Sequence, residues 1–413
     1  MISRRPPSPR AGPGTPDRLE AWNLCTRWAS SAAQLARMMY ESAIGLGLEV
    51  KLLAEGPDVS AAEVVHDVTV GDYTDPATVK AFARTVDVVT FDHEHVPTEL
   101  LSELQRDGVA VRPGPKALVY AQDKALMRMK LGDELGLPSP KWRICDDAAA
   151  LAEFGNEIGW PIIAKESRGG YDGHGVWKLD GPGAASIPFT DSLAVSAGEQ
   201  VQILAEEFVD FARELSVIAV RNPDGEAVAY PVSETVQANG ICVETTTPAP
   251  MMSSDHEAEI QALALHIAKE LDVVGVLAVE LMERPGGEVV INELAMRPHN
   301  TGHWSIDGAT TSQFENHLRA VAGLPLGWTE ERQPWCTMRN VLGGARKDLL
   351  AALPAVLGDG GLKVQLYGKA WRQGRKMAHV TAYGADLADV QERARAAAHY
   401  LMGDDDVMED DGE

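Results

Sequence analysis

The chain has 413 residues, a formal net charge of −24 and 45% apolar residues. It is too long for one ordinary core and ordinary in composition for a soluble globular protein, so two or three packed units are expected. No apolar run approaches the roughly 20 residues of a membrane helix, and the acidic balance argues against a nucleic-acid partner, which needs a basic surface.

Residues 1–20 are rich in Pro, Arg, Gly and Ser and read as a disordered tail; no apolar stretch follows the arginines, so they do not read as a secretory signal. The four cysteines, Cys25, Cys145, Cys242 and Cys336, form no CxxC and suit free thiols in a reducing cytosol. The periodicity predicts a helix over 34–48, strands over 49–54 and 64–70, and a buried strand over 87–91 that ends in the polar cluster Asp92-His93-Glu94-His95. Strands alternating with helices predict a parallel α/β unit over 21–120, whose ligands would sit at the carboxyl ends of the strands. A second unit is expected over 121–324, its first lobe ending near 205: a helix over 124–135, strands over 160–165, 201–208 and 214–220, a helix over 257–271, then strands over 276–281 and 288–293. A third, smaller unit over 325–402 carries β runs at 338–342, 362–367 and 377–382 and a closing helix over 387–402. The last eleven residues hold seven acids and no Lys or Arg, and read as a solvated acidic tail.

Four segments carry chemistry. In Ile162–Gly175 a strand lysine, Lys165, precedes a loop with four glycines, including Gly170 and Gly173, which suits phosphate contact by backbone N–H groups but equally a mobile surface hairpin. In Leu204–Leu215, acids interrupt an apolar run, as in a strand-linker beside a nucleotide or in a solvated edge strand. The most informative pair is VLAVELME with VVINELAMRPHNTGHW, where Glu280 and Glu293 stand on successive apolar strands. Carboxylates there are costly unless paired or metal-bound, and two strands delivering one each is how Mg²⁺ is held against ATP phosphates. Downstream, Arg297, His299, Asn300 and His303 crowd a short loop, and Arg suits a planar anion. Finally, Lys369, Arg372, Arg375, Lys376 and His379 make a basic island in an acidic chain, as a phosphate-bearing substrate or a solvated turn would have it.

Taken together, QLARM (34–38), FDHEHVP (91–97), AQDK (121–124), GGYDGHG (169–175), NELAMRPHNTGHW (292–304), TSQFENHLRA (311–320) and GRKMAHV (374–380) resemble the N5-carboxyaminoimidazole ribonucleotide synthetase family of the ATP-grasp superfamily. The resemblance implies an α/β and α+β chain: an N-terminal parallel α/β (pre-ATP-grasp) domain, an ATP-grasp domain and a small β-rich C-terminal domain. It implies a cytoplasmic homodimer that uses ATP, Mg²⁺ and bicarbonate to carboxylate an aminoimidazole ribonucleotide. Lys124, Lys165, Gly170, Gly173 and Asn292 would then serve ATP, Glu206, Glu207, Phe208 and Val209 would line adenine, and Glu214 would meet ribose. Glu280 and Glu293 would hold Mg²⁺. Tyr171, Asp172, Arg297, His299 and Asn300 would surround the reacting carboxylate, and Gln34, Glu94, Tyr171, Lys369, Arg372 and Arg375 would bind the ribonucleotide. A formate-using ATP-grasp transformylase shares the carboxylates but not GGYDGHG with this Arg-Pro-His-Asn loop. The sequence departs from the family at the first turn, where Ser31-Ala32-Ala33 replace glycines, and at Met296, Gln373 and Ala378. Trp22, Asn23, Thr26 and Arg27 make 21–33 a poor buried strand, so that segment is expected to pair only weakly.

Overall fold

A computed structural model describes the backbone of residues 23–27 and residues 34–169, 174–192 and 202–404 in full. The expected tail over 1–20, the turn at Ser31–Ala33, the loop residues Gly170, Tyr171, Asp172 and Gly173, and residues 405–413 of the acidic tail lie outside them.

The first sheet is parallel, in the order β3-β2-β1-β4-β5, formed by β1 (Asn23–Arg27), β2 (Glu49–Ala54), β3 (Asp67–Val70), β4 (Val88–Phe91) and β5 (Ala110–Val111). The expectation of a weakly paired first strand is overturned. Asn23–Arg27 is the central strand, with all five residues registered on β2 and four on β4. Pairing on both sides outweighs a poor local β propensity, which is a weak term beside tertiary context. The helix Gln34–Leu46 buries Leu35, Met38 and Met39, while Ile44 faces solvent. The strand expected over 64–70 shrinks to the edge strand β3, mostly exposed, because Val64 and Val65 belong to the preceding turns.

The second sheet is a small antiparallel lobe in the order β6-β9-β7-β8: β6 (Trp142–Cys145), β7 (Ile162–Glu166), β8 (Val176–Leu179) and β9 (Ile203–Glu207). The helix Ala148–Ile158 covers it, and Trp160 packs so closely on Gly155 that a Cβ there would sit 2.4 Å from the indole. The helix expected over 124–135 is an α-helix only over Lys124–Arg128 and continues as a wider π turn over Met129–Glu134.

The third sheet has nine strands among the described residues. Its order is β15-β14-β10-β12-β13-β16-β18-β17, with β11 beside β10. The strands are β10 (Arg213–Arg221), β11 (Ala227–Ala229), β12 (Ser233–Ala238), β13 (Ile241–Thr247), β14 (Gly275–Glu283), β15 (Val289–Ala295), β16 (Trp335–Leu342), β17 (Leu362–Leu366) and β18 (Lys376–Gly384). The three β runs expected in the C-terminal unit therefore extend the central sheet, joined to it by β13–β16 pairing at Glu244–Thr247. The helix Leu387–Met402 packs on their apolar face, with Val390, Ala394, Ala398 and Leu401 buried among Val341, Val380 and Ala382. The helix Gln313–Ala322 ties the parts together, since Phe314, Leu318 and Val321 join the core of the first sheet.

Candidate active site

Glu280 on β14 and Glu293 on β15 stand directly opposite each other in the antiparallel ladder. Like charges so placed repel. Burial pushes the Glu280 carboxyl up to about 8, with Glu293 and then Glu214 adding to it and Lys376 and Arg297 opposing. Two opposed carboxyls, one of them driven toward its neutral form for want of enough counter-charge, are a frame that a cation would relieve. Among the described residues no group of three or more His, Cys, Asp or Glu is arranged to hold a metal. Two carboxylates fit Mg²⁺, which commonly takes one or two from protein and the rest from phosphate oxygens and water.

The register slips after Glu280, where Leu281 pairs with Ile291 and Asn292 becomes the extra residue of a bulge. A bulge re-aims side chains. Here it brings Asn292 Oδ1 within 3.1 Å of Lys165 Nζ, next to Glu293, whose carboxylate meets Lys124 Nζ at 3.2 Å. The carbonyls freed by the bulge are taken by Arg128, a fully buried guanidinium that donates to Ile291 O (2.8 Å), Asn292 O (2.7 Å) and Glu206 Oε1 (2.5 Å). Glu206 Oε2 meets Lys165 Nζ at 2.7 Å, closing a ring from the small lobe to the central sheet. Burial pushes the Glu206 carboxyl up, but Arg128 and Lys165 outweigh it and hold it down to about 2.

This ring and an Arg284–Glu207 pair engage the side chains of two residues expected to line adenine. Glu206 lies in β9, flanked by β6 and β7, with both carboxylate oxygens engaged, and Glu207 is held by Arg284 at 3.0 Å. Phe208, on the linker between the lobes, is 39% exposed, while Val209 beside it is buried. Lys178 sits 4.5 Å over the Phe208 ring. Glu214, on β10, is pushed up by burial and lies on the same face as Glu280, since Ser216 is opposite Glu280.

The 296–304 loop supplies the second half of the site. Glu94, after the carboxyl end of β4, accepts from Met296 N (3.2 Å) and Arg297 Nε (2.8 Å). Through these bonds both its oxygens also orient the loop. His299 Nε2 lies 3.6 Å from Glu280 Oε1, and its Nδ1 is 2.8 Å from Thr301 Oγ1. Burial, then Arg297 and Lys376, hold the His299 imidazole well below its usual range, so it is neutral. Asn300 exchanges two amide hydrogen bonds with Asn340 and is buried, and these bonds brace the loop.

The basic island closes the rim. Lys369 Nζ donates to Gln34 Oε1, which brings two expected substrate residues together from 335 positions apart, and to Lys376 O at 3.2 Å. Arg372 is exposed and Arg375 half-buried, its NH1 donating to Ala370 O at 3.2 Å. Arg128 and Asp123 were given no role from sequence, whereas Asp92 stood in the polar cluster already placed at the end of β4. Arg128 could have been found from its i+4 spacing to Lys124. Asp123 accepts from Ser167 Oγ and Arg168 Nε, both at 2.8 Å, and so anchors the root of the glycine loop. Asp92, buried behind Glu94 with Oδ1 unpartnered, is pushed well up by burial and faces Arg297 and Lys369.

Comparison with known proteins accounts for this arrangement. Residues 31–122 match the ribonucleotide synthetase preATP-grasp domain, 130–314 the ATP-grasp domain and 336–393 the phosphoribosylaminoimidazole carboxylase C-terminal domain. The chain is 46% identical over 374 residues to the N5-carboxyaminoimidazole ribonucleotide synthase of Mycobacterium tuberculosis, covering 89% of this chain and 86% of that protein. It is 43% identical over 377 residues to that of Corynebacterium ammoniagenes, covering 89% and 90%. Among solved structures, N5-carboxyaminoimidazole ribonucleotide synthetase from Thermus thermophilus superposes with a TM-score of 0.80 at 34% identity, over 92% of this chain and 98% of that one. The Aspergillus clavatus synthase in complex with ADP and 5-aminoimidazole ribonucleotide gives 0.81 at 29%, again over 92% and 98%. The chain belongs to the N5-carboxyaminoimidazole ribonucleotide synthase family of ATP-grasp ligases.

Proposed function

We propose that the chain carboxylates the exocyclic amine of 5-aminoimidazole ribonucleotide at the expense of ATP, with bicarbonate as the carbon source, in purine biosynthesis. The observation that carries this reading is the opposed Glu280–Glu293 pair, set between Lys124 and Lys165 on one side and Arg297 and His299 on the other. Phosphate charge is met by the lysines, whose positions are fixed by Glu206, Asn292 and Glu293. Glu280 and Glu293 would hold Mg²⁺, which when bound would supply charge neutralisation at the phosphates. A bicarbonate oxygen attacks the γ-phosphorus and ADP leaves, giving carboxyphosphate. Arg297 suits its planar carboxylate with paired N–H donors. The amine nitrogen then attacks the carboxyl carbon, phosphate leaves, the nitrogen loses one proton and a carbamate remains. Lys369, Arg372 and Arg375 hold the ribonucleotide phosphate, with Gln34 orienting Lys369. Tyr171 and Asp172, which lie outside the described residues, are assigned to the imidazole on the family motif alone.

We divide the chain into a tail over 1–20, domains over 21–120, 121–324 and 325–402, and an acidic tail over 403–413. We take it as a cytoplasmic homodimer; among the described residues no helix is long and apolar enough to cross a membrane. The test is ATP cleavage measured with and without the ribonucleotide, in bicarbonate or in formate. Stimulation by ribonucleotide and bicarbonate together is expected; stimulation by formate and a glycinamide substrate would assign the chain to transformylation instead.

A further inference from the structure

The helix Gln313–Ala322 buries polar groups. Gln313, Asn316 and His317 are fully buried and share one face at spacings of three and four. Such groups are costly inside a protein unless bonded, and each has a separate task. His317 bonds Thr90 Oγ1 (2.8 Å) through Nε2 and accepts from Val276 N (3.1 Å) at Nδ1, pinning the helix between β4 and β14. Asn316 accepts from Gly327 N and donates to the Tyr230 hydroxyl and Gly327 O. Gln313 alone reaches the site loop. Its Oε1 accepts from His299 N (2.8 Å) and its Nε2 donates to His299 O (2.6 Å), so one side-chain amide replaces the strand neighbour that residue 299 lacks. The same Nε2 lies 3.2 Å from His303 Nδ1. The fit is close: a Cβ on Gly302 would come within 2.6 Å of Gln313 Oε1.

We infer that Gln313 is a positioning residue that, through the backbone of His299, holds Arg297 and His299 in register with Glu280 and so couples ATP cleavage to carboxyl transfer; this rests on the function proposed above. The loop's other side-chain restraints act on either side of this point: Glu94 holds Met296 N and Arg297 Nε, and Asn340 holds the Asn300 amide, which leaves the His299 N–H to Gln313. Between Ala295 and Ser305 its only regular piece is the single turn Asn300–Gly302. The His299 ring is fixed at Nδ1 by Thr301 Oγ1, itself 2.6 Å from Ser216 Oγ. With ring and backbone both anchored, Nε2 can face only the Glu280 carboxylate. The phosphate-facing groups Lys124, Lys165 and Glu293 are braced by Asn292 and Glu206, not by Gln313. A shift of about 1 Å in the loop costs roughly 100-fold in a chemical step that depends on it, while the nucleotide half of the site keeps its own supports.

The experiment measures phosphate released, carboxylated ribonucleotide formed and ADP affinity in wild type, Gln313→Leu, Gln313→Glu and Gly302→Ala. Wild type first checks the underlying reading: without ribonucleotide-stimulated turnover, that reading and this inference fall together. With it, Gln313→Leu should lower product formation about 10- to 100-fold, raise phosphate released per product severalfold, and leave ADP affinity near the wild-type value. Gln313→Glu keeps the acceptor for His299 N and should recover part of the coupling. Gly302→Ala presses on the same amide from the loop side, and should uncouple likewise even if Gln313→Leu does not fold. An unchanged ratio of phosphate to product in the folded variants, or activity and ADP affinity falling in parallel, would overturn the inference.

Discussion

Arg128→Met tests the ring that joins the small lobe to the central sheet. The substitution keeps much of the volume but removes three hydrogen bonds, one to Glu206 Oε1 and two to the bulge carbonyls of Ile291 and Asn292. Glu206 is 2% exposed and keeps only Lys165 as a counter-charge. Breaking a buried pair from one side costs about 3–5 kcal/mol. The Glu206 carboxyl, held from 4.5 down to about 2, shows the two cations together outweighing the cost of burial, by on the order of 3 kcal/mol. Because its folded value lies below the unfolded one, this stability is fully present above pH 4.5 and is lost as pH falls toward 2. Urea unfolding at pH 7, followed by the fluorescence of Trp142, which pairs with Glu206 across β6 and β9, should report a loss of about 3–5 kcal/mol. The double variant Arg128→Met/Glu206→Gln, with no buried carboxylate to compensate, should recover about 1–2 kcal/mol of that loss. The KM for ATP should rise about 10-fold as Glu206, the partner that positions Lys165, loses its own anchor, equivalent to about 1.4 kcal/mol. A single variant within about 1 kcal/mol of wild type, or a double variant no more stable than the single, would refute the reasoning.

Three further outcomes are expected. Glu293→Gln removes one negative charge and one cation ligand from the opposed pair and should abolish ATP hydrolysis; near-normal turnover would count decisively against the site assignment. Arg375→Ala should raise the KM for the ribonucleotide and leave ATP affinity unchanged, and a titration showing weakened ATP binding would mean the basic island has been misplaced. Arg395→Ala takes from the buried Glu244 its two-pronged partner, at 2.8 and 2.7 Å, while Arg339 remains at 2.7 Å. It should cost about 1–3 kcal/mol and expose the helix Leu387–Met402 to limited proteolysis, a result that wild-type-like digestion would contradict.

Periodic elements were legible in the sequence because one face of each is apolar. The helix Leu387–Met402 has the bounds its pattern predicts, and β14 and β15 stand where their apolar runs place them. The two glutamates were legible for the opposite reason, as charges that an apolar strand would not carry idly. What escaped was polar structure stabilised at a distance. β12 and β13, reading SETVQA and ICVETTT, carry no clear alternation and are strands because β10 and β16 flank them. Asn292 was named for ATP on the family motif, but the bulge that turns it toward Lys165 depends on register and not on composition. Arg128 and Gln313 look like ordinary helix residues until the elements they bond are brought from 78 and 14 positions away. Glu94 was legible as a site residue, but its turn toward Arg297 and Met296 was not.

The seam between β13 and β16 determines how the gene can be cut. A chain ended before Trp335 would keep the nucleotide-facing carboxylates but lose β16, and β13 would present its unpaired backbone groups to solvent. Such an open strand edge recruits other strands and leads to aggregation. The same cut would strand Glu244 without Arg339 or Arg395, a buried charge with neither partner. Expression trials that trim the last third to obtain a minimal nucleotide-binding fragment should therefore yield inclusion bodies, and fragment complementation would succeed only if the missing strands are supplied in trans to recap that edge.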